Sequence, residues 1–121
     1  MPMRVLIVDD DEPSCKLLTK IIKRTGAEVE WTTDSHAGFA RSLQHHYDLF
    51  VLDVQMPGLL GTDFSAQLKQ RCPQVHIILI SAFADEALHK TATRLGVSLL
   101  SKPFTPDVLL AAAARELGHR E

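Results

Sequence analysis

The sequence predicts an α/β fold in which five parallel strands alternate with five helices. Short apolar runs recur at Val5–Val8, Leu49–Leu52 and His76–Ile80, the mark of strands covered on both faces. Segments of helical period lie between them, and that alternation implies parallel pairing through right-handed crossovers. The second candidate strand, Glu28–Thr32, is more polar and suits a sheet edge. The order 2-1-3-4-5 buries strands one, three and four and leaves that strand outside, giving a three-layer sandwich.

Each element follows from local signals. Val5-Leu6-Ile7-Val8 is β-branched and apolar, and Asp9-Asp10-Asp11-Glu12 follows at once. Asp11 is placed to cap a helix that begins near Pro13. Leu17, Leu18, Ile21 and Ile22 recur at helical spacing, and Gly26 stops that helix. Asp34 or Ser35 caps a second helix, whose inner face reads as Ala37, Ala40 and Leu43. The third strand is Asp48 to Leu52, after which Asp53 and Met56-Pro57-Gly58 turn the chain into a loop. Thr62 or Asp63 starts a third helix with Phe64 and Leu68 inward, ending before Pro73. A fourth helix, from about Ala84 to Leu95, has Leu88, Ala92 and Leu95 in register and ends at Gly96. Val97 to Leu100 is a short fifth strand. The last helix starts near Thr105-Pro106 and runs through Ala111–Ala114 towards Gly118. Leu109 and Leu110 cannot both face the core unless that helix is widely buried, so one of them is expected in a dimer contact.

Composition narrows the class. The 121 residues suit one domain, and 45% apolar content is that of a globular protein. A net charge of -2 offers no basic surplus for nucleic acid. Two cysteines, Cys15 and Cys72, form no disulfide framework and read as reduced, buried or half-buried helix thiols in a cytoplasmic protein. Met1-Pro2-Met3-Arg4 leads straight into a strand without a signal-peptide core. No apolar run approaches the ~18 residues of a membrane span. Residues 1–121 therefore read as a single domain with no output domain attached.

The apolar strands end in polar residues. The first ends at Asp9 and Asp10, the third at Asp53 and the fourth at Ser81, while Lys102 follows the fifth closely. Parallel strands bring all of these to one sheet edge, where open α/β sheets bind ligands. Acids alone there would repel, and at least one would resist ionisation. Three carboxylates beside a lysine make sense around a hard divalent cation such as Mg²⁺, which takes about six oxygens. Asp10 and Asp53 can each supply one, and a backbone carbonyl from the following loop a third.

These pieces resemble the receiver domain of two-component response regulators along essentially the whole chain. The matching segments are V-D-D-D after strand one, D-V-Q-M-P-G-L-L-G around Asp53, I-S-A after strand four and K-P-F after strand five. The fold of that family is flavodoxin-like. The resemblance implies that Asp53 accepts a phosphoryl group from a kinase phosphohistidine. It implies that Asp10 binds Mg²⁺ directly, that Asp9 acts largely through metal-bound water, and that Gln55 offers its backbone carbonyl. By the same resemblance Ser81 supplies the hydroxyl that bonds the phosphoryl group, and Lys102 pairs first with Asp53 and then with the phosphate. It further implies a cis Lys102-Pro103 bond. The implied partners are a sensor histidine kinase or phosphotransfer protein, and an output domain or partner at the face of helix four, strand five and helix five. A homodimer on phosphorylation belongs to the same expectation, and the chain is no enzyme beyond its own phosphorylation and slow dephosphorylation.

Three positions depart from the pattern. Leu99 stands three residues before the lysine, where many receivers carry a switching aromatic. Either it repacks or the output runs through other residues. Leu60 stands where an Asp is frequent, and Phe83 lies two residues after Ser81, where bulk is expected to slow hydrolysis. Two enzyme-like or cofactor-binding rivals are weaker. A haloacid-dehalogenase-type phosphatase wants a general acid where Gln55 stands. A flavodoxin-type carrier would set its phosphate against Asp9-Asp10-Asp11. A receiver-like interaction module that does not use phosphorylation is the remaining alternative. His45-His46 lacks a third ligand at useful spacing and reads as a solvated helix end. His36, His76, His89 and His119 are assigned no role.

Overall fold

The computed structural model describes residues 2–118; Met1 and His119 lie outside them. Five strands, β1 (Arg4–Val8), β2 (Glu28–Thr32), β3 (Leu49–Asp53), β4 (His76–Ser81) and β5 (Ser98–Ser101), form one sheet of order β2-β1-β3-β4-β5. Every pairing is parallel. The α-helices are α1 (Glu12–Ile22), α2 (Ser35–Gln44), α3 (Gly61–Arg71), α4 (Glu86–Leu95) and α5 (Pro106–Gly118). The polar second strand is indeed an edge.

Strand side chains alternate between two cores, as a period of two requires. Val5, Ile7, Leu49, Val51, Ile78 and Ile80 meet α1 and α5 through Leu18, Ile22, Leu109 and Ala113. Leu6, Val8, Phe50, Leu52, Ile77 and Leu79 meet α3 through Phe64 and Leu68, with Phe39 and Leu88 packed at the margin. The central strands are thus covered on both sides, which is why they read as unbroken apolar runs.

Helix ends follow capping chemistry. Asp11 accepts from the Ser14 amide, Asp34 from the His36 and Ala37 amides, and Asp85 from the Leu88 amide. α1 stops at Ile22, and a short 3-10 turn (Lys23–Thr25) carries the chain to Gly26, whose φ of 89° is left-handed. α4 begins at Glu86 and ends against Gly96. Lys102-Pro103 is cis.

Several expectations are corrected. Ala37, Ala40 and Leu43 are exposed; α2 instead buries Ser35 and Gly38. A Cβ on Gly38 would lie 2.8 Å from Val8 Cγ2, so the helix approaches β1 by its smallest residue. Leu17 is also exposed, since Cys15, Leu18, Ile21 and Ile22 already fill that face of α1. Cys72 is exposed because it sits at the C-cap of α3, beyond the packed turns, whereas Cys15 is buried. α3 starts at Gly61, ahead of both Thr62 and Asp63, and its N-cap residue Leu60 makes no side-chain bond. Leu109 is buried and Leu110 half-buried against the same core, leaving Val108 as the exposed apolar residue of that turn.

Candidate functional site

The C-terminal ends of the strands build one polar edge. Strand registry sets Val8 beside Leu52, Asp53 beside Ile80 and Ser81 beside Ser101. Asp9 leaves β1 with its amide bonded to the Thr32 carbonyl at 3.3 Å, and Lys102 leaves β5 with its amide bonded to the Ser81 carbonyl at 2.8 Å. Asp9, Asp10, Asp53, Ser81 and Lys102 therefore share one edge because their strands stop together.

Within that edge Asp9, Asp10 and Asp53 each bring a carboxylate oxygen to within 4.8 Å of the others. Asp9 is buried, Asp53 is 9% exposed and Asp10 faces solvent. Asp9 Oδ1 accepts from the Asp11 amide at 3.0 Å. Its Oδ2 is buried and has no hydrogen-bond partner. Lys102 Nζ stands 3.9 Å from that oxygen, an ion contact too long for a hydrogen bond. A buried carboxylate oxygen without a partner is costly unless a cation completes it.

Electrostatics agree with the crowding. Burial, followed by the charge of Asp9, pushes the Asp53 carboxyl up to about 6, against the pull of the Gln55 amide and Lys102. The Gln55 amide donates to Asp53 Oδ1 at 3.2 Å, so the loop after β3 folds back onto the carboxylate. Ser81 is buried, and its Oγ accepts from the Phe83 amide at 3.0 Å. The Phe83 ring itself is 77% exposed. Beneath Asp9, the Cys15 thiol donates to the Asp9 carbonyl, and burial pushes it up to about 11, which keeps it a neutral thiol.

Gly61 explains how α3 starts so close to the acid. A Cβ there would lie 2.4 Å from the Asp53 carbonyl oxygen, and the Gly61 amide bonds the Val54 carbonyl at 3.0 Å.

The family model for the response regulator receiver domain matches residues 5–114. The chain belongs to that family. The receiver is 34% identical over 116 residues to the transcriptional regulatory protein YbdJ of Bacillus subtilis, covering 96% of this chain and 51% of that protein. It is 31% identical over 107 residues to the alkaline phosphatase synthesis transcriptional regulatory protein PhoP of the same organism, covering 88% of this chain and 45% of that protein. The chain thus spans about half the length of the curated relatives it matches. In fold, it superimposes on a CheY-like receiver domain protein from Methanospirillum hungatei with a TM-score of 0.91 at 24% identity, covering 98% of this chain and 95% of that one.

The sequence placed all of these site residues at one edge, and the structure brings them there. It did not foresee that the Ser35 hydroxyl bonds the Pro57 carbonyl and the Leu59 amide of the loop after β3, nor Gly61, whose need is visible only once the Asp53 carbonyl is in place. Of the unassigned histidines, His76 bonds Glu116 Oε1 at 3.0 Å, far from this edge. Among the described residues no helix is long and apolar enough to cross a membrane.

Proposed function

We propose that this receiver is a phosphoacceptor module of a two-component pathway, taking a phosphoryl group from a histidine kinase or phosphotransfer protein onto Asp53. The observation that carries the reading is the buried, unpartnered Asp9 Oδ2 beside Lys102 in a cluster of three carboxylates. The donor set is all oxygen, which fits a hard cation, and Mg²⁺ held by Asp9, Asp10, Asp53 and the Gln55 carbonyl suits it. When bound, Mg²⁺ supplies neutralising charge to the phosphoryl oxygens.

The chain's own groups do the rest. An Asp53 carboxylate oxygen attacks phosphorus, the N–P bond to the donor imidazole breaks, and the imidazole leaves with its electron pair and takes up a proton. The nearly closed setting of Asp53 fixes its direction of approach. Lys102 Nζ, already turned into the edge by Asp9, offsets charge on the transferred group. Ser81 releases the Phe83 amide and donates its hydroxyl to a phosphoryl oxygen. That exchange couples chemistry to the loop leading into α4 and supports signalling through the α4–β5–α5 face to an output domain, a partner protein or a second copy. Leu99 faces the core beside Leu88 and Val97, so switching would move α4 by repacking without an aromatic flip. Residues 1–121 would then be the whole receiver unit, working in the cytoplasm.

Intact mass after incubation with a small phosphodonor and Mg²⁺ tests the reading. A single phosphoryl adduct that disappears in Asp53→Asn and in EDTA is expected. An adduct retained by Asp53→Asn places the chemistry elsewhere. No adduct from either the small donor or a phosphorylated histidine kinase overturns the proposal in favour of an interaction module.

A further inference from the structure

Ser35 is the first residue of α2 and lies far in sequence from the acidic edge, yet its side chain grips the loop that leaves Asp53. The residue is 2% exposed. Its hydroxyl donates to the Pro57 carbonyl at 2.8 Å and accepts from the Leu59 amide at 3.1 Å. The two contacts straddle Gly58, whose φ of 88° is left-handed. Pro57-Gly58 has the residue preference of a type II turn, in which the fourth amide would bond the first carbonyl. Here that amide, on Leu59, bonds Ser35 Oγ, so a hydroxyl from another element closes the turn.

The neighbouring residues make this grip rigid. Asp34 caps α2, which frees the Ser35 hydroxyl for the loop. Gly38 seats α2 against Val8, one residue before Asp9. A Cβ on Gly58 would lie 2.7 Å from His36 Nε2, so the His36 ring closes the turn from above. The loop's ends are fixed separately, by the Gln55 amide on Asp53 Oδ1 and the Gly61 amide on the Val54 carbonyl. Ser35 pins the middle, and Gln55 lies between the pinned points.

We propose that Ser35 is a positioning residue for the cation site, holding the 55–59 loop so that the Gln55 carbonyl is presented to the ion before it arrives. This rests on the phosphoacceptor reading above. It predicts a metal-affinity defect separable from the chemistry.

The test compares wild type, Ser35→Ala and Thr25→Ala, using Mg²⁺ titration calorimetry and amide hydrogen exchange. Thr25 is a fair control: its hydroxyl also bridges two backbone groups, the Ile22 carbonyl and the Ala27 amide, at a turn remote from the acids. Ser35→Ala is expected to weaken Mg²⁺ binding about three- to tenfold, the scale of one or two lost hydrogen bonds. Its phosphorylation rate should return to that of wild type at saturating Mg²⁺, while Thr25→Ala keeps full affinity. Unchanged affinity in Ser35→Ala, or an equal loss in Thr25→Ala, overturns the proposal. Should Ser35→Ala not fold, the wild type decides. A Leu59 amide protected from exchange before Mg²⁺ is added supports the grip, and an unprotected one overturns it. Wild type that binds no Mg²⁺ removes the phosphoacceptor reading and this one together, an outcome distinct from a defect missing only in the variant.

Discussion

Asp53 is held where its charge is least welcome. It is nearly closed off from water, and Asp9 and Asp10 stand within reach of the same point. Without a cation the ionised site works against folding. Asp53→Asn should therefore raise metal-free stability at pH 7 by up to about 3 kcal/mol, the scale of a carboxyl raised about two pKa units, from 3.8 to about 6. Urea unfolding checks this, with Mg²⁺ added in a second series. Mg²⁺ should stabilise wild type and barely move the variant. A variant less stable than wild type without metal would mean that Asp53 holds the fold together through contacts its charge makes. Phe83 poses a second question at the same scale. Its amide bonds Ser81 Oγ while its ring stands 77% exposed beside the edge. Phe83→Ala opens that side to water and should shorten the acyl-phosphate lifetime several-fold, read by loss of the phosphoryl adduct over time. An unchanged lifetime removes the shielding role.

α3 begins without a side-chain cap. Leu60 occupies its N-cap in an extended conformation (φ -65°, ψ 148°) and makes no side-chain bond, although it is 43% exposed. An Asp there can accept from the first-turn amides and meet the positive end of the helix dipole. Leu60→Asp should stabilise the protein by about 1 kcal/mol, measured as a shift in the thermal midpoint; no gain would mean that the loop prevents the cap from closing. The case also shows what was legible. Asp11, Asp34 and the strand ends announced themselves because capping and buried strands depend on adjacent residues. α3's true start did not, since Leu60 carries no cap signal and Gly61 is chosen by contact with the Asp53 carbonyl. The inner face of α2 was misread for the same reason. Which of its faces turns inward is set by how closely Gly38 can approach Val8, a distance the local pattern of Ala37, Ala40 and Leu43 does not encode. Ser35 read as one of two possible caps because its real partners, Pro57 and Leu59, come from another loop.

At the scale of the whole molecule, β2 is one of the two sheet edges and pairs, among the described residues, with β1 alone. Glu30 binds it to its surroundings. It accepts from Arg4 at 2.6 Å, from Tyr47 at 2.8 Å and from Arg41, while Arg4 lies over the Tyr47 ring at 5.1 Å. One carboxylate thereby joins β1, β2, α2 and the approach to β3. Burial would push Glu30 up, but the hydrogen bonds from Arg4, Tyr47 and Arg41 outweigh it and hold the group down at about 2, against an ordinary 4.5. The folded protein then binds fewer protons at Glu30 than the unfolded chain between those values. Stability from this group is fully present above about pH 4.5 and is lost as pH falls towards 2. Solvent reaches a third of the side chain, so screening keeps the gain modest. Glu30→Gln should lower stability at pH 6 and flatten the decline between pH 4.5 and 2, so that the two proteins converge in acid. Urea midpoints at pH 6 and pH 3 measure that convergence. Parallel curves, with the same gap at both pH values, would show that Glu30 acts through shape and hydrogen bonding alone and that acid unfolding begins elsewhere in the sheet.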